Sequence, residues 1–390
     1  MRRINLSMCF ALTLLLCATN TRAQQGKNFT PVEGADLAAR MEAAVRQGRT
    51  SSPQSRFWTA YSFDVRPGVL VDFEYISEDG SRSYITGVND SATGVSIDSQ
   101  SVRAETRNLG VFLLRSRESG DISRIEVYNL ERKHEYGGYP VYWLGRAGNE
   151  ESINLLRGLA ESARSGEIGA DATKAIALHD DRRVGDVLES LARTSTVEGV
   201  RIQAVSWLGR TPNTTPARQS FLLDLARSER ESQEIRRRAV AAFGQTRDAA
   251  TLAALQNLYS SLFQQDLKRA VLSSVSRNES REATSFLIKV AASDQDPEMR
   301  KKALAHLGQR AGEQSATTIA GTIEQTDAET EIQKQAVVAL SRRPREEAVP
   351  LLLKIARTHA KPEVRRQALL MLARTGDERA LELYREILLK

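Results

Sequence analysis

The sequence predicts an α+β protein arranged by domain: a small antiparallel β domain followed by an all-α solenoid. Three observations carry this. First, an eleven-residue phrase recurs six times, as VRIQAVSWLGR, IRRRAVAAFGQ, LKRAVLSSVSR, MRKKALAHLGQ, IQKQAVVALSR and VRRQALLMLAR. The copies begin at Val200, Ile235, Leu267, Met299, Ile332 and Val364, at intervals of 35, 32, 32, 33 and 32 residues. A near-constant period of that size marks stacked supersecondary units that bury their apolar sides only against their neighbours. Second, between residues 57 and 146 the apolar period is two, with Gly, Asn, Asp and Ser between the runs, as in a sheet of short strands. Third, 390 residues of which 41% are hydrophobic suffice for two or three domains, each with its own core.

Residues 1–23 read as an export signal. MRR is a basic start, Met8 to Ala18 is an apolar run of eleven residues, and Thr21-Arg22-Ala23 approximates the small-x-small cleavage rule. A membrane-spanning helix needs about 20 residues. The run therefore predicts cleavage after Ala23, a periplasmic or secreted location, and no transmembrane segment in what remains. Both cysteines, Cys9 and Cys17, lie inside it. Cleavage would remove disulfides, thiolate nucleophiles and cysteine-based zinc sites together, which suits an oxidising compartment. It would also take away three Arg and no acid, lowering the formal charge from +6 to +3. So balanced a surface gives no argument for a nucleic-acid partner.

Residues 24–56 read as a leader, with a short helix over Glu33 to Arg46 and a flexible QGRTSSPQSR linker. The β domain spans 57–146. In Val69 to Ile76 the residues Val69, Val71, Phe73 and Tyr75 share one face, and Asp72 and Glu74 the other, as in a half-buried strand. Further strands are expected at Ser83 to Val88, Gly94 to Asp98, Leu109 to Arg115 and Ile122 to Leu130. Tyr142 to Arg146 (YWLGR) echoes Ser206 to Arg210 (SWLGR) and reads as either a strand or a capping turn. The aromatics Trp58, Tyr61, Phe63, Phe73, Tyr75 and Tyr84 suit the core of a small sheet; the alternative is a ligand-stacking face.

The solenoid occupies 149–390, with about six to seven helical repeats and a terminal helix. Asn149-Glu150-Glu151 is a helix start. Ala170 to His179 is an atypical first unit, as terminal repeats usually are. Each phrase is preceded by a second apolar helix: Val184–Arg193, Arg218–Arg227, Ala249–Tyr259, Glu282–Ala292, Ala316–Ile323 and Glu346–Arg357. Glu378 to Leu389 closes the series without a partner. Numbered from zero, phrase positions 0, 4, 5 and 8 are apolar or Ala and form one stripe. Position 9 is always Gly, Ala or Ser, as expected where helices approach closely. Asp296-Pro297-Glu298 supplies a cap, a first-turn Pro and an acid at the positive dipole end.

These phrases resemble the second helix of HEAT repeats, in the short subtype named after phycobilisome-lyase subunits, which reads roughly apolar-Arg-x-x-Ala-x-x-x-Leu-Gly. Val200, Arg201, Ala204, Leu208 and Gly209 match it, as do Met299, Arg300, Ala303, Leu307 and Gly308. The Leu267 phrase departs at Val271 and Ser276, and the Ile332 phrase lacks both the Arg and the Gly. The layout of signal, β domain and repeats is similar to that of exported bacterial HEAT-repeat proteins of unassigned role. The resemblance implies a protein-binding scaffold; the same subtype also occurs in bilin-lyase subunits, an enzymatic alternative.

Catalysis has little to draw on. His134, His179, His306 and His359 fall in different units and in no metal-ligating spacing. Asp72/Glu74 and Glu78/Asp79 are paired carboxylates without the cleft that glycosidase chemistry needs. There is no phosphate-binding glycine loop or nucleophile elbow, and neither a cofactor nor a metal is expected. One pattern stands out. Phrase position 2 carries a cation in five consecutive repeats: Arg237, Arg269, Lys301, Lys334 and Arg366. It lies roughly 135° from the centre of the apolar stripe and so faces solvent. In HEAT-like stacks the second helix lines the concave surface, so the resemblance implies a basic ladder there, suited to an acidic protein partner. Glu234, Glu298, Glu331 and Glu363 lie three residues earlier, so intra-helix pairing is the competing reading.

Overall fold

Alternating apolar side chains build a sheet buried on both faces, and helix stripes of fixed period build everything after it. The computed structural model describes residues 29–76, 82–90, 106–162, 165–211, 214–310, 312–325 and 329–388. These fall in two compact units that meet between Trp207 and Leu208.

The first unit opens with β1 (Phe29–Pro31), α1 (Leu37–Ser51) and β2 (Arg56–Ser62), followed by β3 (Val69–Ile76) and β4 (Arg82–Asp90). Then come β5 (Leu109–Ser116), β6 (Ile122–Asn129), β7 (Val141–Arg146), α2 (Asn149–Ser162), α3 (Gly166–Ile176), α4 (Val184–Thr194) and α5 (Glu198–Leu208). Five strands form one sheet in the order β1-β7-β2-β5-β6, and β3 pairs with β4 in a separate hairpin. β2, β5 and β6 run antiparallel, as expected. β7 lies parallel to both β1 and β2, so the sheet is mixed. YWLGR is thereby settled as a strand. Its hydrogen-bond partners lie on either side, at Phe29–Pro31 and Trp58–Ser62, more than eighty residues back along the chain.

Along β2 the side chains alternate. Trp58 and Ala60 join Phe112, Leu114 and Val141 in a cluster bordered by Phe29, Tyr128, Tyr136 and Trp143. Phe57 faces the other way and meets Tyr142 edge-on at 5.6 Å. Trp58 Nε1 donates to Tyr136 O at 2.8 Å, so the indole is satisfied as well as buried. Trp58, Tyr61 and Phe63 are core residues on different faces, not one stacking surface. The side chains of Phe73, Tyr75 and Tyr84, the pairs Asp72/Glu74 and Glu78/Asp79, and the strand expected at Gly94 to Asp98 lie outside the described residues.

The segment read as a leader and flexible linker is built into this unit. α1 runs to Ser51, through the start of the expected linker. Leu37, Met41, Ala44 and Gly48 form its buried stripe. A Cβ on Gly48 would fall 2.3 Å from the Phe57 ring, so only glycine lets α1 lie this close to β2. Asp36 caps the helix by accepting from Ala39 N at 2.8 Å. Three-residue β1 gave no periodic signal in the sequence.

The second unit alternates first and second helices: α6 (Pro216–Arg227), α7 (Gln233–Phe243), α8 (Ala249–Ser261), α9 (Gln265–Val275), α10 (Arg281–Ser293) and α11 (Pro297–Leu307). The series continues with α12 (Glu313–Glu324), α13 (Thr330–Leu340), α14 (Arg345–Thr358), α15 (Pro362–Ala373) and α16 (Glu378–Leu388). The second helices α7, α9, α11, α13 and α15 pack in succession as one layer. Phrase positions 0, 4, 5 and 8 are buried throughout, except for half-buried Leu369. Asp296 caps α11 as expected, accepting from Glu298 N at 2.9 Å.

Position 9 sets the spacing of this layer. A Cβ on Gly209, Gly244 or Gly308 would come within 2.5, 2.6 and 2.5 Å of Ala242, Ser274 and Ala339, the position-7 residues of the next repeats. Where position 9 is Ser276 or Ser341, the next position 7 is the larger His306 or Met371. Glycine faces small, and serine faces large.

Candidate functional site

The five ladder cations stand on successive neighbours, α7, α9, α11, α13 and α15. Four have an acid one turn back. Arg237 Nη2 lies 2.6 Å from Glu234, Arg269 Nη1 2.8 Å from Asp266, Lys301 Nζ 2.8 Å from Glu298, and Lys334 Nζ 2.8 Å from Glu331. Burial pushes the Glu234 carboxyl up, but Arg237 and Arg238 together hold it below its ordinary value. The bond to Glu298 raises Lys301. Arg366 is exposed and has no carboxylate partner among the described residues. The ladder is thus a strip of alternating charges, with its acids on the first turn of each helix.

The cation immediately before it does different work, which the sequence reading missed. At position 1, Arg201 Nε donates to Ala192 O at 2.9 Å, and Arg236 Nε to Ala226 O at 3.1 Å. Gln333 Nε2 reaches Ile323 O and Gln325 O at 2.8 Å each. Arg365 Nη1 reaches His359 O at 2.7 Å. Each acceptor is in the last turn or cap of the preceding first helix, where carbonyls lack intrahelical donors and the dipole favours a cation. Lys268 instead lies over the Tyr259 ring at 5.1 Å. This position, where the HEAT-like phrase carries its Arg, fastens each second helix to the first. Its signal was the cation or Gln in every copy.

A second set of arginines gathers at the C-terminal ends of the second helices. Arg277 Nη2 donates to Ala241 O at 3.2 Å and Arg342 Nη1 to Ala305 O at 3.4 Å, each lying across position 6 of the preceding second helix. Arg310 bridges loops, reaching Thr284 Oγ1 at 2.6 Å and Ser276 O at 3.1 Å. Burial, then the charges of Arg247 and Arg210, pulls Arg277 below its ordinary value. His306 sits among these groups. Burial, reinforced by Lys302, Arg310, Arg277 and Arg342, pulls it down to about 4, and its Nε2 has no hydrogen-bond partner. It is therefore a neutral packed side chain.

The other histidines are apart, as expected. His134 Nε2 lies 3.0 Å from Asn129 O. His359 Nδ1 accepts from Lys361 N at 3.1 Å, which leaves Nε2–H to donate to Ile323 O at 2.9 Å. His179 forms the one serine–histidine pair among the described contacts, its Nε2 lying 2.7 Å from Ser152 Oγ. Ser152 Oγ is also 3.0 Å from Tyr61 Oη, and His179 Nδ1 is 2.9 Å from Ala175 O. Ser152 is 0% exposed and His179 1%, and His179 stacks on Phe63 at 4.0 Å. Burial pulls the imidazole down to about 4. No substrate reaches a hydroxyl sealed in this way, so the triplet ties the sheet to α2 and α3. Among the described residues no His, Cys, Asp and Glu cluster could hold a metal, and no helix is long and apolar enough to cross a membrane.

Residues 219–308 and 319–390 match the HEAT-repeat family. This part of the chain is a HEAT-repeat array. Human deoxyhypusine hydroxylase in complex with glycerol is similar at 14% identity and a TM-score of 0.28, over 57% of this chain and 87% of that one. The CpcE–CpcF complex of phycocyanin lyase from Nostoc is similar at 19% identity and a TM-score of 0.31, over 48% and 75%. Importin beta follows at 12% and 0.35, over 57% and 41%. These values are too low to carry a substrate or a partner across. Comparison with curated proteins finds no match. HEAT repeats generally serve protein interaction.

Proposed function

We propose that the chain is an exported, non-catalytic scaffold whose HEAT array binds an acidic protein partner, rather than a nucleic acid, on the exposed side of its second helices. One observation carries this reading: five successive helices present the same position, occupied by Arg237, Arg269, Lys301, Lys334 and Arg366, on one layer. A periodic row of side chains on packed helices offers a long, preorganised surface. Glu234, Asp266, Glu298 and Glu331 neutralise much of the ladder. The excess positive charge of the face then lies at Arg366 and the arginine-rich C-terminal edge, which supports an acidic partner.

Capture from an envelope extract by full-length protein and by a chain beginning near Asn149 tests the reading. Both are expected to retain one partner, and loss of capture with 300 mM salt in place of about 50 mM would fit a charged interface. Retention of nothing by either sinks the scaffold. Export is tested separately by the N-terminus of the purified protein, expected at Gln24. For the lyase alternative, an added bilin is expected to keep its free absorbance spectrum.

A further inference from the structure

We propose that a cleft between the C-terminal ends of α13 and α15 and the start of α14 docks an acidic segment of the protein partner. An apolar side chain of that segment enters the cleft, while flanking carboxylates pair with Arg342, Arg345 and Arg374. This rests on the scaffold reading for the partner being a protein, and it names where and by what chemistry that partner is held.

The cleft has a volume of about 410 Å³, with an apolar floor of Val338, Ala348 and Met371. Its rim carries Arg342, Arg345 and Arg374, with Ser341 and Thr375, and no carboxylate lines it. Those three arginines are exposed, and none has an ion pair among the described residues. The N-terminal ends of the same layer are the opposite case, since four ladder cations there each face an acid within 2.8 Å. The acids nearest the cleft are engaged elsewhere: Glu347 with Arg343 at 2.7 Å, and Asp377 with Arg379 at 2.9 Å. Arg345 adds to the field that holds Asp377 down at about 2, after the dominant bond from Arg379. Three guanidinium groups around one opening, unpaired and planar, match carboxylates in bidentate geometry.

The floor separates a peptide from a nucleic acid. A phosphate backbone needs a continuous cationic track, and along this layer Glu298 and Glu331 interrupt it. A peptide can set an aliphatic side chain against Met371 and place acids on either side. Arg343 is excluded from the docking role. Its side chain is 2% exposed, and it donates to Arg310 O and Gly312 O at 2.6 and 3.2 Å, holding the loop before α14.

The test titrates full-length protein with a labelled peptide carrying a central leucine flanked by glutamates. The comparison probes are its glutamine counterpart, an oligoglutamate, inorganic phosphate and a single-stranded oligonucleotide. The leucine–glutamate peptide is expected to bind best. Arg342→Glu with Arg374→Glu should weaken it by roughly tenfold or more. Lys301→Glu with Lys334→Glu should leave it within about twofold. If the double Glu variant fails the circular-dichroism check, Arg342→Gln with Arg374→Gln replaces it. Equal binding of the glutamine peptide, tighter binding of the oligonucleotide, or indifference to the Arg342/Arg374 pair would overturn the cleft. If the partner is captured equally by wild type and by the Arg342/Arg374 variant, the scaffold stands and this site falls. If the peptide binds but no extract yields a partner, the site stands and the scaffold reading falls.

Discussion

The two units are held together over very different distances along the chain. In the first, contacts join distant segments: Phe29 stacks on Trp143 at 5.5 Å, Trp58 donates to Tyr136 O, and Tyr61 meets Ser152 and His179. In the second, contacts recur about one repeat apart, as with Gly244 on Ser274, Gly308 on Ala339, and Arg236 on Ala226. The first must therefore assemble as a whole, whereas the second can form and fray by neighbours. The difference teaches which damage spreads.

The largest effect should come from the sheet. Phe112→Ala removes a ring that touches Phe29, Trp58, Tyr128 and Tyr136, and should cost about 3–5 kcal/mol in urea unfolding. Near-ultraviolet circular dichroism should change across the whole aromatic cluster. A purely local loss would break the contrast.

Acid should come next and reach both units. His179 and His306 are held at about 4, below the ordinary 6.5. Between about pH 6.5 and 4 the unfolded chain binds more protons than the folded one. Stability is therefore full above pH 6.5 and falls as pH drops through that window, by roughly 2–3 kcal/mol for each buried imidazole at pH 4. His306→Gln should remove part of that slope and leave the share due to His179; an unchanged slope would mean that His306 is hydrated.

Smaller effects test the neighbour rule. Gly308→Ala drives a Cβ into Ala339 and should cost about 1–3 kcal/mol, with hydrogen exchange quickening in α11 and α13 but not in α7. Arg236→Met should cost about 1–3 kcal/mol by leaving Ala226 O without its donor. The smallest effect belongs to the next residue along: Arg237→Gln loses an exposed pair and should cost only about 0.2–0.5 kcal/mol. Equal costs for Arg236 and Arg237 in thermal unfolding would erase the distinction between fastening and surface cations.

Adjacent Arg236 and Arg237 also show how far the sequence could be read. Helix positions, the buried stripe and the outward direction of position 2 follow from a 3.6-residue period, and all were legible. Whether position 1 turns to solvent or reaches the previous helix depends on where that helix ends in space, which periodicity does not contain. The sheet was legible strand by strand at Val69, Leu109 and Ile122. Its order was not, because parallel pairing of β7 with β1 and β2 joins segments with no local signal of each other. The arginine cleft was hidden for a related reason. Arg342, Arg345 and Arg374 meet only when two successive repeats are stacked, and single-repeat patterns do not show what two repeats enclose.

The pairing of position 9 with the next position 7 gives the array a direction and an order. Six phrases that look interchangeable each fit a particular successor: Gly308 accepts Ala339, while Ser276 accepts His306. Exchanging the Met299 and Ile332 repeats would set Ser276 against Ala339 and Gly308 against Met371, one junction too loose and the other too tight. The modules are therefore not beads that can be restrung. Each shape specifies its neighbour, so the array grows by lengthening at an end or by copying matched pairs, and resists shuffling.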